Sequence, residues 1–255
     1  MLYSRIIPCL LIKNGSLIKT INFKNEKYVG DPLNAVRIFN EKQVDELIVI
    51  DIAATVECKE PDYNLISKIA SECRMPLCYT GGICETRTVE RLVSLGVEKC
   101  GISSAAINSP EILAESVQIV GSQSVVAVID VKKNEITNRY EIHTHNGLKN
   151  TGKDLIQYIN EIEKYKVGEV VINSIDRDGT SEGYDIELIN LIYNNISCPL
   201  TVIGGAGSYS DVSSLINKFK IIGASAGSLF IFKGKFRAVM LNYPDKNQKE
   251  EIFNI

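Results

Sequence analysis

The strongest constraint in this chain is a rhythm. Short, nearly unbroken apolar runs recur at 5–12, 46–52, 76–79, 97–102, 124–131, 168–174, 199–203 and 219–224, and amphipathic stretches separate most of them. A strand with one wet face alternates apolar and polar residues, whereas runs this continuous suit strands covered on both faces, as in a parallel sheet flanked by helices. The intervening stretches, among them DPLNAVRIFNEKQ (31–43), SPEILAESVQIV (109–120) and TGKDLIQYINEIEKYK (151–166), carry Asp, Ser or Thr near their starts, where such side chains cap helices. Eight strands alternating with helices in 255 residues is the proportion of a (β/α)8 barrel. A doubly wound open sheet is the competing arrangement, but eight regular units favour closure. One barrel domain over residues 1–255 is expected.

Composition narrows the function classes. With 45% hydrophobic and 23% charged residues the chain can bury a large core. The net charge of −3 arises from interspersed acids and bases, so no basic face for nucleic acid is indicated. The N-terminal apolar run is broken by Arg5 and Lys13 and lacks a small-residue cleavage site. No later run approaches the roughly 18 apolar residues of a membrane span, and a cytoplasmic protein is expected. Seven cysteines without a C-x-x-C pair suit neither a disulfide framework nor a zinc knuckle, and read as reduced thiols.

The two halves of the chain resemble each other. LIVIDIAAT (47–55) is similar to VVINSIDRDGT (170–180), and YTGGICETRTVERLVSLG (79–96) to VIGGAGSYSDVSSLINKF (202–219), with glycine pairs in matching places. Two four-strand halves closing a barrel would set Leu11 and Asp130 at equivalent points of one mouth. Active sites of this fold lie at that end, where the strands' C-termini emerge. Loops there are rich in groups that suit phosphate: TGG (80–82) with Ser103 and Ser104 in one half, and DGT (178–180), GGAG (204–207) and AGS (226–228) in the other. Glycine lets the backbone approach an anion, and helix starts point N–H groups at it. Tight βα turns would use the same glycines, but matched clusters after the third, fourth, seventh and eighth strands imply a ligand with two phosphates, one per half.

RIIPCLLIKNG (5–15), GDP (30–32), DELIVIDI (45–52), GSQSVVAVIDVK (121–132), KNTG (149–152), SIDRDGTSEGYD (174–185) and GGAG (204–207) resemble the cyclase subunit of imidazole glycerol phosphate synthase, the HisF family of histidine biosynthesis. The resemblance spans nearly the whole chain. It implies a lyase and cyclase of the glutamine amidotransferase type, with a HisH-like glutaminase docked under the barrel. Ammonia passes through the barrel to a phosphorylated small-molecule substrate, and no metal or other cofactor is implied. By resemblance, Asp130 matches the second catalytic aspartate and Lys19 a loop lysine that closes on substrate. Gly82, Ser104, Asp178, Gly179, Thr180, Gly204, Gly205, Gly227 and Ser228 match the substrate and phosphate surroundings, while Arg5, Glu46, Lys99 and Glu169 match a charged gate where ammonia enters.

The match fails at one telling place. Leu11 stands where the family has its first catalytic aspartate, and Ile203, Gly101 and Ser103 also depart from its pattern. A leucine cannot move a proton, and losing a general acid or base costs about 10²- to 10⁴-fold in rate. Gate charges kept beside a damaged cyclisation site imply a paralogue of the kind that supplies ammonia to a sugar amidotransferase making an acetamidino sugar. The alternative is a genuine cyclase in which Asp130 acts with help from water. Other residues have plainer readings: the four gate charges can be a salt-bridge plug, His143 and His145 can lie in a loop or hairpin rather than on a metal, and Asp51 can hold loop N–H groups or line the mouth. Tyr79, beside the glycine pair, is expected to narrow the pocket.

Overall fold

A computed structural model of the chain describes residues 3–254. Eight parallel strands alternate with helices: β1 (Arg5–Lys13), β2 (Leu47–Asp51), β3 (Leu77–Thr80), β4 (Lys99–Ile102), β5 (Val125–Lys133), β6 (Glu169–Ser174), β7 (Leu200–Ile203) and β8 (Gly223–Ala226). Each pairs with its neighbour in chain order, and β8 pairs with β1 to close the barrel. The architecture is a (β/α)8 TIM barrel. No described helix is long and apolar enough to cross a membrane.

Alternation along each strand divides the core in two. Ile7, Cys9, Leu11, Ile48, Cys78, Val126, Val128, Val171 and Ile203 point inward and form one apolar cluster, while their neighbours pack outward against the helices in a second, larger one. Both faces of every strand are therefore dry, which is why the runs read as continuous. Helix starts follow local chemistry: Asp31, Asp62, Asp154, Asp185 and Ser208 each accept a backbone N–H from the first turn of the helix they precede.

Each half also opens with the same elaboration. Strand β1 is followed by an antiparallel hairpin (Ser16–Ile21 and Lys24–Gly30), and β5 by another (Tyr140–Thr144 and Lys149–Asp154). The half-chain repeat thus extends beyond the barrel staves. The structure shifts two sequence-based boundaries. Helix formation in 151–166 begins at Leu155, because TGKD completes the hairpin and Asp154 is the cap. The eighth strand is GASA (223–226) rather than 219–224: Phe219 ends the preceding helix, and small residues carry the inward face.

Candidate functional site

Two cavities meet at the C-terminal mouth of the barrel. One is lined by Thr80, Gly81, Gly82, Ser103, Ser104, Asp130 and His145, the narrower other by Lys19, Asp178, Gly179, Gly204, Gly205, Gly227 and Ser228. Leu11, Phe23, Ile50 and Asn173 belong to both. The two glycine and hydroxyl sets thus occupy separate halves of one mouth, with Leu11 between them. The glycine pairs share a backbone shape that side chains resist: Gly81 and Gly82 have φ of +123° and +69°, Gly204 and Gly205 of +104° and +102°. A Cβ at Gly204 would stand 2.7 Å from the Ser174 carbonyl oxygen.

Asp130 projects from β5 into this mouth. Burial pushes its carboxyl up to about 7, and Asp178 adds to the rise while a hydrogen bond from Asn173 opposes it. That bond runs from Asn173 Nδ2 to Asp130 Oδ1 over 3.1 Å. A carboxyl poised near neutrality can take or release a proton. Across the mouth, Leu11 is buried among apolar neighbours and offers nothing of the kind.

The first hairpin is folded down over the second cavity. Thr20 Oγ1 donates to Asp178 Oδ2 at 2.7 Å, Phe23 N to the same oxygen at 3.2 Å, and Asn22 N to the Asp178 carbonyl at 2.9 Å. Asp178 is therefore committed to holding the hairpin. Lys19, 5% exposed, extends under it to within 3.4 Å of the Cys9 carbonyl oxygen. Gly227 makes room, since a Cβ there would collide with Lys19 Nζ. Thr180 lies outside both linings, its hydroxyl donated to the Arg177 carbonyl at 3.1 Å.

At the opposite end of the barrel Arg5, Glu46, Lys99 and Glu169, the residues expected to form a gate, make a closed ring. Lys99 Nζ lies 2.8 Å from both Glu46 Oε1 and Glu169 Oε2, Arg5 Nη2 lies 2.8 Å from Glu169 Oε1, and Arg5 Nη1 meets Glu46 Oε2. Thr201 Oγ1 donates to Glu169 Oε1 at 2.5 Å. Cations and anions alternate. Burial opposes charge on Glu169, yet Arg5 and Lys99 hold its carboxyl below the ordinary range; burial and the repulsion of Glu169 leave Glu46 above it. Glu98, beside the ring, instead accepts the Leu77 N–H at 2.8 Å and fixes the start of β3.

Other expectations sort plainly. Asp51 serves both suggested roles, accepting the Ala53 and Ala54 N–H groups at 2.9 and 3.1 Å and lining the first cavity. Tyr79 does not narrow the pocket. It faces outward into the helix layer, because residue 79 is out of phase with inward Cys78 and Thr80. His143 and His145 sit on the second hairpin, with His143 Nδ1 3.1 Å from the Gly147 carbonyl oxygen and His145 lining the first cavity. Asn173, Thr20 and Thr201 were missed from sequence. Counting in twos from Glu169 gives Val171 and then Asn173 as inward residues, a signal that could have found the last polar group beneath Asp130.

Comparison with known proteins bears on this geometry. Residues 5–237 match the family model described as histidine biosynthesis protein. The chain is 51% identical over 256 residues, 99% of its length and all of the relative's, to a Leptospira interrogans protein provisionally named imidazole glycerol phosphate synthase subunit HisF. It is 39% identical over 230 residues to the imidazole glycerol phosphate synthase subunit HisF of Lactococcus lactis, covering 90% of this chain and 89% of that one. The chain belongs to the HisF family. A Vibrio vulnificus protein, 47% identical over all of this chain and 98% of its own, carries the provisional name imidazole glycerol phosphate synthase subunit hisF3. This member of the HisF family combines a closed charged ring below with Asp130 and the apolar Leu11 at the mouth.

Proposed function

We propose that this chain is the ammonia-receiving synthase subunit of a glutamine amidotransferase, paired at its lower face with a HisH-type glutaminase, and that it supplies ammonia for amidation of a sugar rather than for efficient imidazole ring closure. The observation that carries the proposal is the asymmetry of the two ends. Four gate charges with every carboxylate oxygen paired are kept at the bottom, while the mouth presents Leu11 opposite Asp130. Ring closure on a bis-phosphate needs an acid and a base, and one carboxyl near neutrality can fill only one role at a time. Delivering neutral ammonia needs neither. It needs a source sealed to the lower opening and an interior that does not protonate the cargo.

A second reading has its own support. Asp130 retains a pKa suited to proton transfer, and both glycine-rich cradles line the mouth, so a slow cyclase with water replacing the first carboxylate is consistent with the site. The two readings separate in one assay. Given ammonium salt and the bis-phosphate ribonucleotide of histidine biosynthesis, the protein should cyclise at least about a hundredfold more slowly than the Lactococcus lactis subunit, and Leu11→Asp should recover part of the rate. Rates within a few-fold of that subunit would overturn the amidation reading in favour of the cyclase.

A further inference from the structure

The mouth is electrostatically lopsided. The lining of the first cavity carries the carboxyls of Glu26, Asp51 and Asp130 and no lysine or arginine. Lys13, outside the lining, offsets Glu26 at 2.6 Å, but among the described residues neither Asp51 nor Asp130 has a cation within ion-pair distance. Thr55, Ser103 and Asn146 add hydroxyl and amide groups. These surroundings suit a neutral, hydroxyl-bearing part of a ligand, whereas a phosphate there finds no cation to offset it.

The second cavity is the reverse. Lys19 is 5% exposed, its Nζ lies 3.4 Å from the Cys9 carbonyl oxygen, and among the described residues no carboxylate is paired with it. A buried charge without a counter-charge is costly, so this cavity is short of an anion. A second cation arrives from outside the barrel. After β8 the chain forms a short hairpin, Phe232–Lys233 with Ala238–Val239, tied at its base by Met240 N to the Ile231 carbonyl at 2.8 Å and Asn242 N to the Phe230 carbonyl at 2.9 Å. In its turn Arg237 has φ +48°, a left-handed conformation that Gly or Asn adopts with less strain. Its guanidinium carbon lies 4.8 Å from the centroid of the Phe232 ring, its Nη2 lies 3.4 Å from Ser228 Oγ, and no carboxylate among the described residues pairs with it. Lys19 Nζ lies against Gly227, the residue before Ser228. Two cations without carboxylate partners therefore converge on Gly227 and Ser228, which line the second cavity.

We propose that Arg237 and Lys19 grip the one phosphate of a sugar phosphate monoester, with the sugar ring lying toward the first cavity. The Arg237 guanidinium donates a fork of N–H groups to two phosphate oxygens, and Lys19 acts as a point charge. No bond is made or broken. The inference deepens the sugar-amidation reading by naming the ligand class of the mouth. It rests on that reading for the sugar, while the single phosphate follows from the partition of charge.

Calorimetric titration of the isolated chain tests both parts, with inorganic phosphate, glucose 6-phosphate and fructose 1,6-bisphosphate as the probes. Phosphate should fill one tight site, any second being at least about tenfold weaker for want of a cation. Arg237→Asn, which suits the left-handed backbone, and Lys19→Met should each weaken the tight site at least about tenfold, and Arg237→Lys should keep part of the affinity. Lys235→Ala removes an exposed cation from the same hairpin and should change the affinity less than about twofold, since solvent and salt screen it. Glucose 6-phosphate should bind more tightly than phosphate, and the bisphosphate no more tightly than glucose 6-phosphate. Circular dichroism checks each variant's fold. Absence of saturable phosphate binding, unchanged affinity in Arg237→Asn, or equal losses in Arg237→Asn and Lys235→Ala would overturn the grip. Two phosphate sites of equal affinity, or tighter binding of the bisphosphate, would overturn the single-phosphate ligand. The cyclisation assay judges the amidation reading separately.

Discussion

Thr20 donates its hydroxyl to the carboxylate of Asp178 across 2.7 Å, joining the first hairpin to the turn after β6, 158 residues away. With the Phe23 and Asn22 contacts it closes the hairpin over Lys19. Removing the hydroxyl leaves a buried carboxylate oxygen with a single backbone donor. Thr20→Val should therefore cost about 1–3 kcal/mol of stability and open the hairpin to protease. Limited proteolysis should cut first within 16–30, and an unchanged cleavage pattern would show that the bond does not hold the hairpin down.

Asp130 gives a pH signature. Its folded-state value of about 7 lies above the ordinary 3.8, so the fold favours the protonated form. That contribution is full below pH about 4 and is lost as pH rises through about 7. Asp130→Asn removes the penalty of ionisation, and should stabilise the protein by about 1–3 kcal/mol at pH 8, with the open mouth screening part of the effect, and by little at pH 4. Thermal unfolding across that range checks it. A stabilisation that does not change with pH would place Asp130 in a wetter setting.

The ring at the lower end is coupled, so its members are not interchangeable. Glu169→Leu would leave Arg5 and Lys99 facing Glu46 alone and strip Thr201 of its acceptor. An uncompensated buried charge of this sort costs about 3–5 kcal/mol. Urea unfolding should show the midpoint falling accordingly, whereas Lys13→Ala, which breaks an exposed pair with Glu26, should cost no more than about 1 kcal/mol.

The twin glycine loops predict two anion sites. Crystals grown in phosphate should hold one ion by Gly82 and Ser104 and another by Gly205 and Ser228, the second only where Lys19 swings aside or pairs with it. The two cavities meet at one mouth, but each carries its own glycine pair. Clear density in neither cavity at saturating phosphate would mean that the mouth no longer takes a bis-phosphate.

The barrel was legible because all eight strands bury both faces and so read as continuous apolar runs, and eight such units in a chain of this length favour closure over an open doubly wound sheet. What stayed hidden has physical causes. The first hairpin carries Asn22, Phe23 and Asn25 at positive φ within a stretch rich in lysine and asparagine, so neither alternation nor a glycine turn announced it. β8 is GASA, whose small residues give too little hydrophobicity to mark a strand and drew the expected boundary back onto Phe219 and Ile222. Tyr79 was misplaced for want of a phase count: inward Cys78 fixes its neighbour as outward. The lower ring was legible as four charges at or beside strand starts, but their pairing into one closed ring depends on distances that no sequence carries.

The most direct measurement is association with a HisH-type glutaminase. The chain and a HisH-type glutaminase, purified separately, should form a one-to-one complex at micromolar concentration by analytical ultracentrifugation. Binding should raise glutamine hydrolysis at least about tenfold, and Lys99→Glu, which sets a third carboxylate against Glu46 and Glu169, should lose most of that gain while ammonium-driven product formation by the assembled system persists. Two species that sediment independently, or a Lys99→Glu protein that still couples glutamine hydrolysis to product as wild type does, would contradict ammonia delivery through the barrel and reduce the ring to a structural plug.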